Sequence, residues 1–242
     1  MFESIKNRRY LYKWTHPVIA EIRTLHRVTN KVSRNIHMRP YEVPPEVLEN
    51  IICEYRNKGY NFISIDKLVS LVHRKYHFPF KPQKNVVFTL DDGYADNFEN
   101  AYPIFKKYNV PFCIYITKQY VIEGISIEEG ENYQILSEGQ LKRLISEPLC
   151  TIGCHTLSHP QLSRLSYDEQ RREIVSSKEW IEKTFGIQVN HLAYPYGDYN
   201  TDTIAIVKNE NFKSAVSVRK LKTRGNESES YVYQLPRIII SQ

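Results

Sequence analysis

Short runs rich in β-branched and aromatic residues alternate along this chain with stretches of helical period. No other feature of the sequence constrains the fold as tightly. The pattern predicts strands over Val18–His26, Tyr60–Ile65, Asn85–Leu90, Val110–Thr117, Leu149–Cys154, Gln188–Ala193, Phe212–Val218 and Tyr231–Ile240, the last interrupted by Pro236. Between them it predicts helices over Pro45–Asn57, Asp66–Tyr76 (with Asp66 as its cap), Asp96–Tyr108, Ser137–Ser146, Tyr167–Phe185 and Thr201–Asn209. Residues 118–136 show no strong period and read as a loop insertion; residues 220–230 read as polar loop. Such alternation implies a parallel sheet with helices outside, either a closed barrel or an open doubly wound sheet. In both, ligands sit at the C-terminal ends of the strands.

At 242 residues the chain has the length of one domain, 1–242, with a basic lead-in over about 1–17. No run approaches the ~18 apolar residues of a transmembrane helix. The N-terminus has neither an apolar core nor a cleavage site of signal-peptide type, so a cytoplasmic location is expected. Cys53, Cys113, Cys150 and Cys154 lack C-x-x-C spacing and read as reduced thiols. The net charge is +6, and within the first forty residues nine basic side chains face only Glu3 and Glu21. Such a segment suits an anionic membrane surface at the inner face, or phosphate groups, as well as a solvated basic face. No nucleic-acid motif accompanies it, and no nucleic-acid partner is expected.

Applied to the polar residues, the strand-end rule gathers a set. Asp91 and Asp92 end one strand, His155 and His159 follow another in GCHTLSHP, His26 ends the first, and Tyr194 and Tyr196 end the strand of AYPYG. His155 and His159 are four apart and would face the same way on a helical turn. Two imidazoles and one carboxylate form a facial set that leaves positions open for water and substrate. Taken alone, H-x-x-x-H also describes two unrelated surface histidines, and Asp-Asp-Gly also describes a turn and cap. Together, a divalent cation would resolve the repulsion of the paired aspartates, with one carboxylate ligating and the other left free.

LDDGYADN, HTLSHP and AYPYG, in that order, resemble the first three motifs of the polysaccharide deacetylases of carbohydrate esterase family 4, the NodB-homology domain. SRLSYDEQRREIVSSKEWIEKTFG is similar to the helix that follows the histidine motif there. TLHRV and PPEVLENIICEYRNKGYNFISIDKL resemble the lead-in of members acting on bacterial surface polysaccharides. The likeness covers roughly residues 20–217. It implies a distorted (β/α)7-type barrel and a hydrolase of carbon–nitrogen bonds other than peptide bonds. The implied enzyme removes acetyl groups, chiefly N-acetyl, from amino sugars, with a divalent metal that is often Zn2+ (Co2+, Ni2+ and Mn2+ being the alternatives). By motif, Asp91 would be the general base and Asp92, His155 and His159 the metal ligands. Tyr196 would lend its backbone N–H to an oxyanion hole, with Pro195 shaping the groove, and Tyr94, Tyr194 and Tyr196 would be aromatic contacts for a sugar.

The chain departs from the family pattern in three places. It ends YQLPRIIISQ without the usual C-terminal acid histidine. In a closed barrel the first and last strands are neighbours, so His26 in TLHRV is the expected substitute, as in permuted members. The third motif usually opens with an arginine that orients the base, and here that position is Ala193. Arg237 in LPRI is the candidate replacement. The aspartate and tryptophan of a fourth motif are missing: Trp14 is misplaced, Trp180 reads as helix packing, and His16 and His191 read as structural.

The function this implies is a metal-dependent deacetylase in bacterial surface-polysaccharide metabolism, acting on an acetylated saccharide or a nucleotide- or lipid-linked precursor. Two rivals remain: a hydrolase of non-sugar linear or cyclic amides on the same barrel, and a degenerate barrel that binds saccharide without turnover.

Overall fold

The computed structural model describes residues 16–77, 83–128 and 131–241. The basic lead-in, apart from His16 and Pro17, lies outside the described residues. So does Trp14, and so do the membrane contact and cytoplasmic location expected from that segment. Among the described residues no helix is long and apolar enough to cross a membrane.

Seven parallel strands form the frame: β1 (Val18–Leu25), β2 (Asn85–Leu90), β3 (Phe112–Ile116), β4 (Cys150–Cys154), β5 (His191–Ala193), β6 (Ser214–Val218) and β7 (Leu235–Ile239). Each pairs with the next in sequence. The sheet closes because β1 also pairs with β7, Arg23 opposite Ile238 and Thr24 opposite Ile239. The closed barrel, rather than the open sheet, is therefore the fold. Its thinnest seam lies between β4 and β5, where one register pair, Leu192 opposite Cys154, joins the two strands.

The helices are α1 (Pro45–Asn57), α2 (Ile65–Val72), α3 (Tyr102–Lys107), α4 (Lys118–Glu123), α5 (Glu138–Ile145), α6 (Tyr167–Phe185) and α7 (Thr201–Asn209). Capping boxes open α5 at Ser137, α6 at Ser166 and α7 at Asn200. Several expectations change. The predicted strand over 60–65 is only Asn61–Phe62, and the cap of α2 is Ser64, whose hydroxyl accepts from the Lys67 N–H; Asp66 lies within the first turn. The helix over 96–108 begins with a π-turn, Asn97–Ala101, before α3. The loop insertion over 118–136 contains α4 and an antiparallel hairpin, Ile125–Glu128 with Glu131–Gln134. The hairpin strands have four residues each, the shortest length over which alternation can be read.

Strand alternation divides the core in two. On β2, Val86, Phe88 and Leu90 face the helices, and Val87 faces the lumen. On β3, Phe112, Ile114 and Ile116 face out, and Cys113 and Tyr115 face in. On β1, Ala20 and Ile22 face in; on β7, Leu235 does. Continued to the C-terminal rim, the same parity carries Thr24 and His26, Thr89 and Asp91, and Arg237 towards the lumen. Period 2 thus selects which of the two adjacent aspartates enters the barrel.

Candidate active site

Asp91 is 2% exposed and is gripped at both oxygens by Arg237: Nη1 donates to Oδ1 at 2.7 Å and Nη2 to Oδ2 at 2.6 Å. Arg237 is itself fully buried. It also donates to the hydroxyls of Thr24 and Thr89 and to the Ser217 carbonyl, and lies over the Tyr115 ring. Burial opposes charge on Asp91, but the Arg237 guanidinium, together with His155 and His26, outweighs it and holds the carboxyl below the usual carboxylate range. Asp91 is therefore an anion with a fixed orientation. Ala193, small and also facing the lumen, leaves room for that guanidinium to arrive from β7. Gly153 does the same for Tyr115, since a Cβ at 153 would lie 2.4 Å from the Tyr115 ring.

By parity Asp92 would point outward. Instead the backbone turns left-handed at once, with φ of 68° at Asp92 and 74° at Gly93. At Gly93 an added Cβ would also press on Ile116 at 3.0 Å, so both backbone and space favour glycine. The turn brings Asp92 Oδ1 to 3.4 Å from His155 Nε2 and 3.5 Å from His159 Nε2. One ligand atom from each of the three lies within 4.8 Å of the others. Asp92 Oδ1 is buried without a hydrogen bond, as is His159 Nδ1. His155 Nδ1 lies 2.8 Å from the Ala193 carbonyl, to which it donates in the tautomer that turns the Nε2 lone pair toward Asp92. Burial opposes charge on Asp92, but His155 and His159 leave its carboxyl below the ordinary range. Burial works against protonation of His155, but Asp92 and Asp91 raise its pKa, whereas burial lowers that of His159 to about 4. A buried carboxylate oxygen without a donor, facing two imidazole nitrogens, fits a divalent cation.

The two histidines do not lie on a helical turn. Residues 155–160 form an irregular loop with φ of 69° at Thr156 and 63° at His159. Glu173, on α6, ties this loop down by accepting from the N–H groups of Leu157 and Ser158 and from the Ser158 hydroxyl. Thr156 Oγ1 accepts from the His159 N–H.

A cavity of about 330 Å³ stands above these groups, within the size range of ligand pockets. His26 lines it, with its ring 4.6 Å from that of Tyr41 and its Nδ1 buried without a partner. Tyr196 has a φ of 59° and is 63% exposed, and its ring stands 4.7 Å from that of His159. Tyr94 and Tyr194 line the wall but are 1% and 0% exposed. The Tyr94 ring is packed edge-on against Tyr133, the Tyr194 ring is stacked on Tyr199, and the Tyr194 hydroxyl donates to the Tyr233 carbonyl. Neither ring offers a free face to a sugar, contrary to the aromatic-platform expectation, and Pro195 is buried. Asn35, His37 and Met38, on the β1–α1 connection, complete the wall. Their irregular segment carries no motif that would mark them in the sequence. His191 and His16 lie apart from this cluster: His191 opens β5 at the opposite rim, and the His16 carbonyl accepts from Arg224. Trp180 packs against Phe185.

Comparisons with known proteins agree with this geometry. YxkH of Bacillus subtilis (strain 168), whose name places it among polysaccharide deacetylases, is 30% identical over 159 residues, 66% of this chain and 52% of that protein. The chain thus spans about half the length of that relative. The poly-beta-1,6-N-acetyl-D-glucosamine N-deacetylase of Staphylococcus aureus is 26% identical over 217 residues, 86% of this chain and 71% of that protein. Among solved structures, the Streptococcus pyogenes deacetylase PplD in complex with acetate superposes with a TM-score of 0.77 at 25% identity, covering 93% of each chain. IcaB from Ammonifex degensii shares the fold at a TM-score of 0.77 and 20% identity, covering 91% of each chain. The family profile described as polysaccharide deacetylase matches residues 80–215, which runs from just before β2 into β6 and takes in both aspartates and both histidines. That match covers more than half of the chain, and the chain belongs to the polysaccharide deacetylase family.

Proposed function

We propose that the chain is a metal-dependent hydrolase that removes the N-acetyl group from amino-sugar residues of a bacterial surface polysaccharide. The observation that carries this reading is the division of labour between adjacent aspartates. Asp91 is locked as an anion by Arg237, and Asp92 turns away to face two histidines.

Asp92, His155 and His159 would hold the cation, and a set of two imidazoles and one carboxylate suits Zn2+. A cation held there supplies Lewis acidity toward the acetyl carbonyl and the attacking water. Asp91 takes the proton of that water as general base, its lone pairs aimed by Arg237. The Tyr196 N–H donates to the oxygen that becomes negative as the carbonyl turns tetrahedral. His26 gives a proton to the departing amine nitrogen as the C–N bond breaks and its electron pair passes to nitrogen. The exposed ring of Tyr196, rather than those of Tyr94 and Tyr194, is the face available to a sugar. A polymer is favoured over a nucleotide- or lipid-linked precursor, because the S. aureus relative is named for a polymeric substrate.

The test is acetate release from N-acetylglucosamine polymer, from its short oligomers and from a nucleotide-linked N-acetyl sugar, with metal analysis of the purified protein. Release from polymer or oligomers with about one zinc per chain is expected. Bound metal with no acetate from any sugar would transfer the reading to non-sugar amides, and absence of metal binding would leave a saccharide-binding barrel.

A further inference from the structure

The π-turn that follows the aspartate pair is aimed at the backbone of the histidine on the neighbouring strand. Three side chains of one segment, 96–100, take up three backbone groups of residues 26–28. Asn97 Nδ2 donates to the His26 carbonyl at 2.8 Å. Asp96 Oδ1 accepts from the Val28 N–H at 3.1 Å. Asn100 Nδ2 donates to the Val28 carbonyl at 2.7 Å. Asp96 Oδ2 also accepts from Arg27 Nε at 3.0 Å, and Asn97 Nδ2 reaches back to Asp96 Oδ1 at 3.2 Å. The arrangement is buried: Asn97 is 0% exposed and Asp96 8%.

The ladder between β1 and β2 ends where the Asp91 N–H donates to the Leu25 carbonyl at 3.0 Å. Beyond it, Arg27 and Val28 pair on one side with Glu42 and Val43, and on the side of β2 side chains stand in for a strand. The wider winding, in which the Tyr102 N–H bonds the Asn97 carbonyl, accompanies the placing of positions 96, 97 and 100 on one side. Arg27 extends the network to Glu42 at 2.6 Å and to Ser33, tying in the connection that forms one cavity wall. One segment, 91–100, therefore carries the base and a metal ligand and also grips the backbone on which His26 is mounted.

We propose that Asp96, Asn97 and Asn100 form a positioning clamp that sets the distance between His26 and the Asp91–Asp92 pair, and so governs proton delivery to the leaving amine. This rests on the reading of His26 as the acid. An imidazole on a loose strand end would still sample the cavity, but a misplacement of about 1 Å suffices to cost on the order of 100-fold in a positioned proton transfer. The clamp residues touch no substrate and act only through His26.

The leaving group separates this role from general structural support. An amine must be protonated to depart, whereas 4-nitrophenolate is a weak base and leaves unaided. Acetate release from N-acetylglucosamine oligomers and hydrolysis of 4-nitrophenyl acetate are measured side by side for Asn97→Ala, Asn100→Ala and His26→Ala. In Asn97→Ala the amide-to-ester ratio should fall about 10- to 100-fold, through kcat rather than KM, with metal content retained. Asn100→Ala should shift it the same way by a smaller factor, and it reads the clamp if Asn97→Ala does not fold. A selective amide loss in His26→Ala, with equal losses on both substrates in the two asparagine variants, would overturn the clamp alone. Equal losses in His26→Ala itself would overturn the acid reading on which the clamp depends.

Discussion

The two ends of the barrel hold similar side chains in different states. At the N-terminal end, Ser214 Oγ lies 2.8 Å from His191 Nδ1, and His191 Nε2 lies 3.2 Å from Asp66 Oδ1, so serine, histidine and aspartate stand in a line. Ser214 and His191 are 0% exposed, and no substrate reaches that hydroxyl. At the C-terminal end, Asp91, Asp92, His155 and His159 border a cavity; buried polar atoms without hydrogen bonds occur at both ends, at Asp92 and His159 here and at His191 Nε2 there. The backbones differ as well. Among the described residues, positive φ outside glycine occurs at Asn109, Asn211 and Asn226 away from the site, and at Asp92, Thr156, His159 and Tyr196 within it. Asparagine tolerates this conformation, whereas a β-branched threonine or a tyrosine adopts it only where surrounding contacts enforce it, at roughly 1–3 kcal/mol each. Residue types and unsatisfied atoms alone do not make a site; access and enforced strain occurring together do.

The strongest way to break this contrast is at the aspartates. Asp91→Asn should lower acetate release by about 10²- to 10⁴-fold while keeping the bound ion, and Asp92→Asn should lose the ion as measured by metal analysis. Equal metal loss in the two variants would erase the distinction between them. Arg237→Ala comes next. It leaves Asp91 charged and unpaired in the lumen, and denaturant unfolding should show a loss of about 3–5 kcal/mol. Arg237→Lys restores the charge but not the two-pronged grip, and it should recover only part of the stability and turnover.

The opposite rim should respond differently. His191→Gln or Ser214→Ala should cost about 1–2 kcal/mol of stability and leave acetate release within about twofold. A large activity loss there would contradict the assignment of that line to structure. The smallest expected effect is at Glu21, midway along β1, which accepts from the hydroxyls of Tyr55 and Tyr60 and pairs with Lys222. Burial raises its carboxyl, but Lys222 and the two tyrosines outweigh burial and hold it below its ordinary 4.5. The native state therefore binds this proton less tightly than the unfolded chain. The stabilisation is complete above about pH 4.5 and disappears as pH falls through the lower native value. Glu21→Gln should flatten the acid limb of a stability–pH profile by less than about 1 kcal/mol.

Much of the site was legible because strand ends are legible. LDDG and GCHTLSH each follow a β-branched run, and in a parallel sheet such runs deliver their next residues to one rim. The inward parity of His26, Asp91 and Arg237 follows from the same period. Arg237, 146 positions from Asp91, could be read only through the expected closure of the last strand on the first, and β7 on β1 brings the two together. What could not be read depends on long-range contacts. Glu173 reads as an ordinary charged position on α6, and its hold on the histidine loop appears only when loop and helix are adjacent. The left-handed turns at Thr156 and His159 run against local preference, so a spacing of four suggested a helical turn that the loop does not make. The buried state of Tyr94 and Tyr194 depends on neighbours, Tyr133 and Tyr199, that no motif marks.

The thin seam between β4 and β5 has a consequence for experiment. The contact from His155 Nδ1 to the Ala193 carbonyl crosses that seam, beside its one register pair. The imidazole offered to a cation by one nitrogen sutures the barrel with the other. Any substitution of His155 is therefore confounded, because it removes a proposed ligand and loosens the wall at its weakest stitch. His159, whose second nitrogen makes no hydrogen bond and which otherwise meets its neighbours by ring contact, is the proposed ligand whose replacement disturbs the barrel wall less.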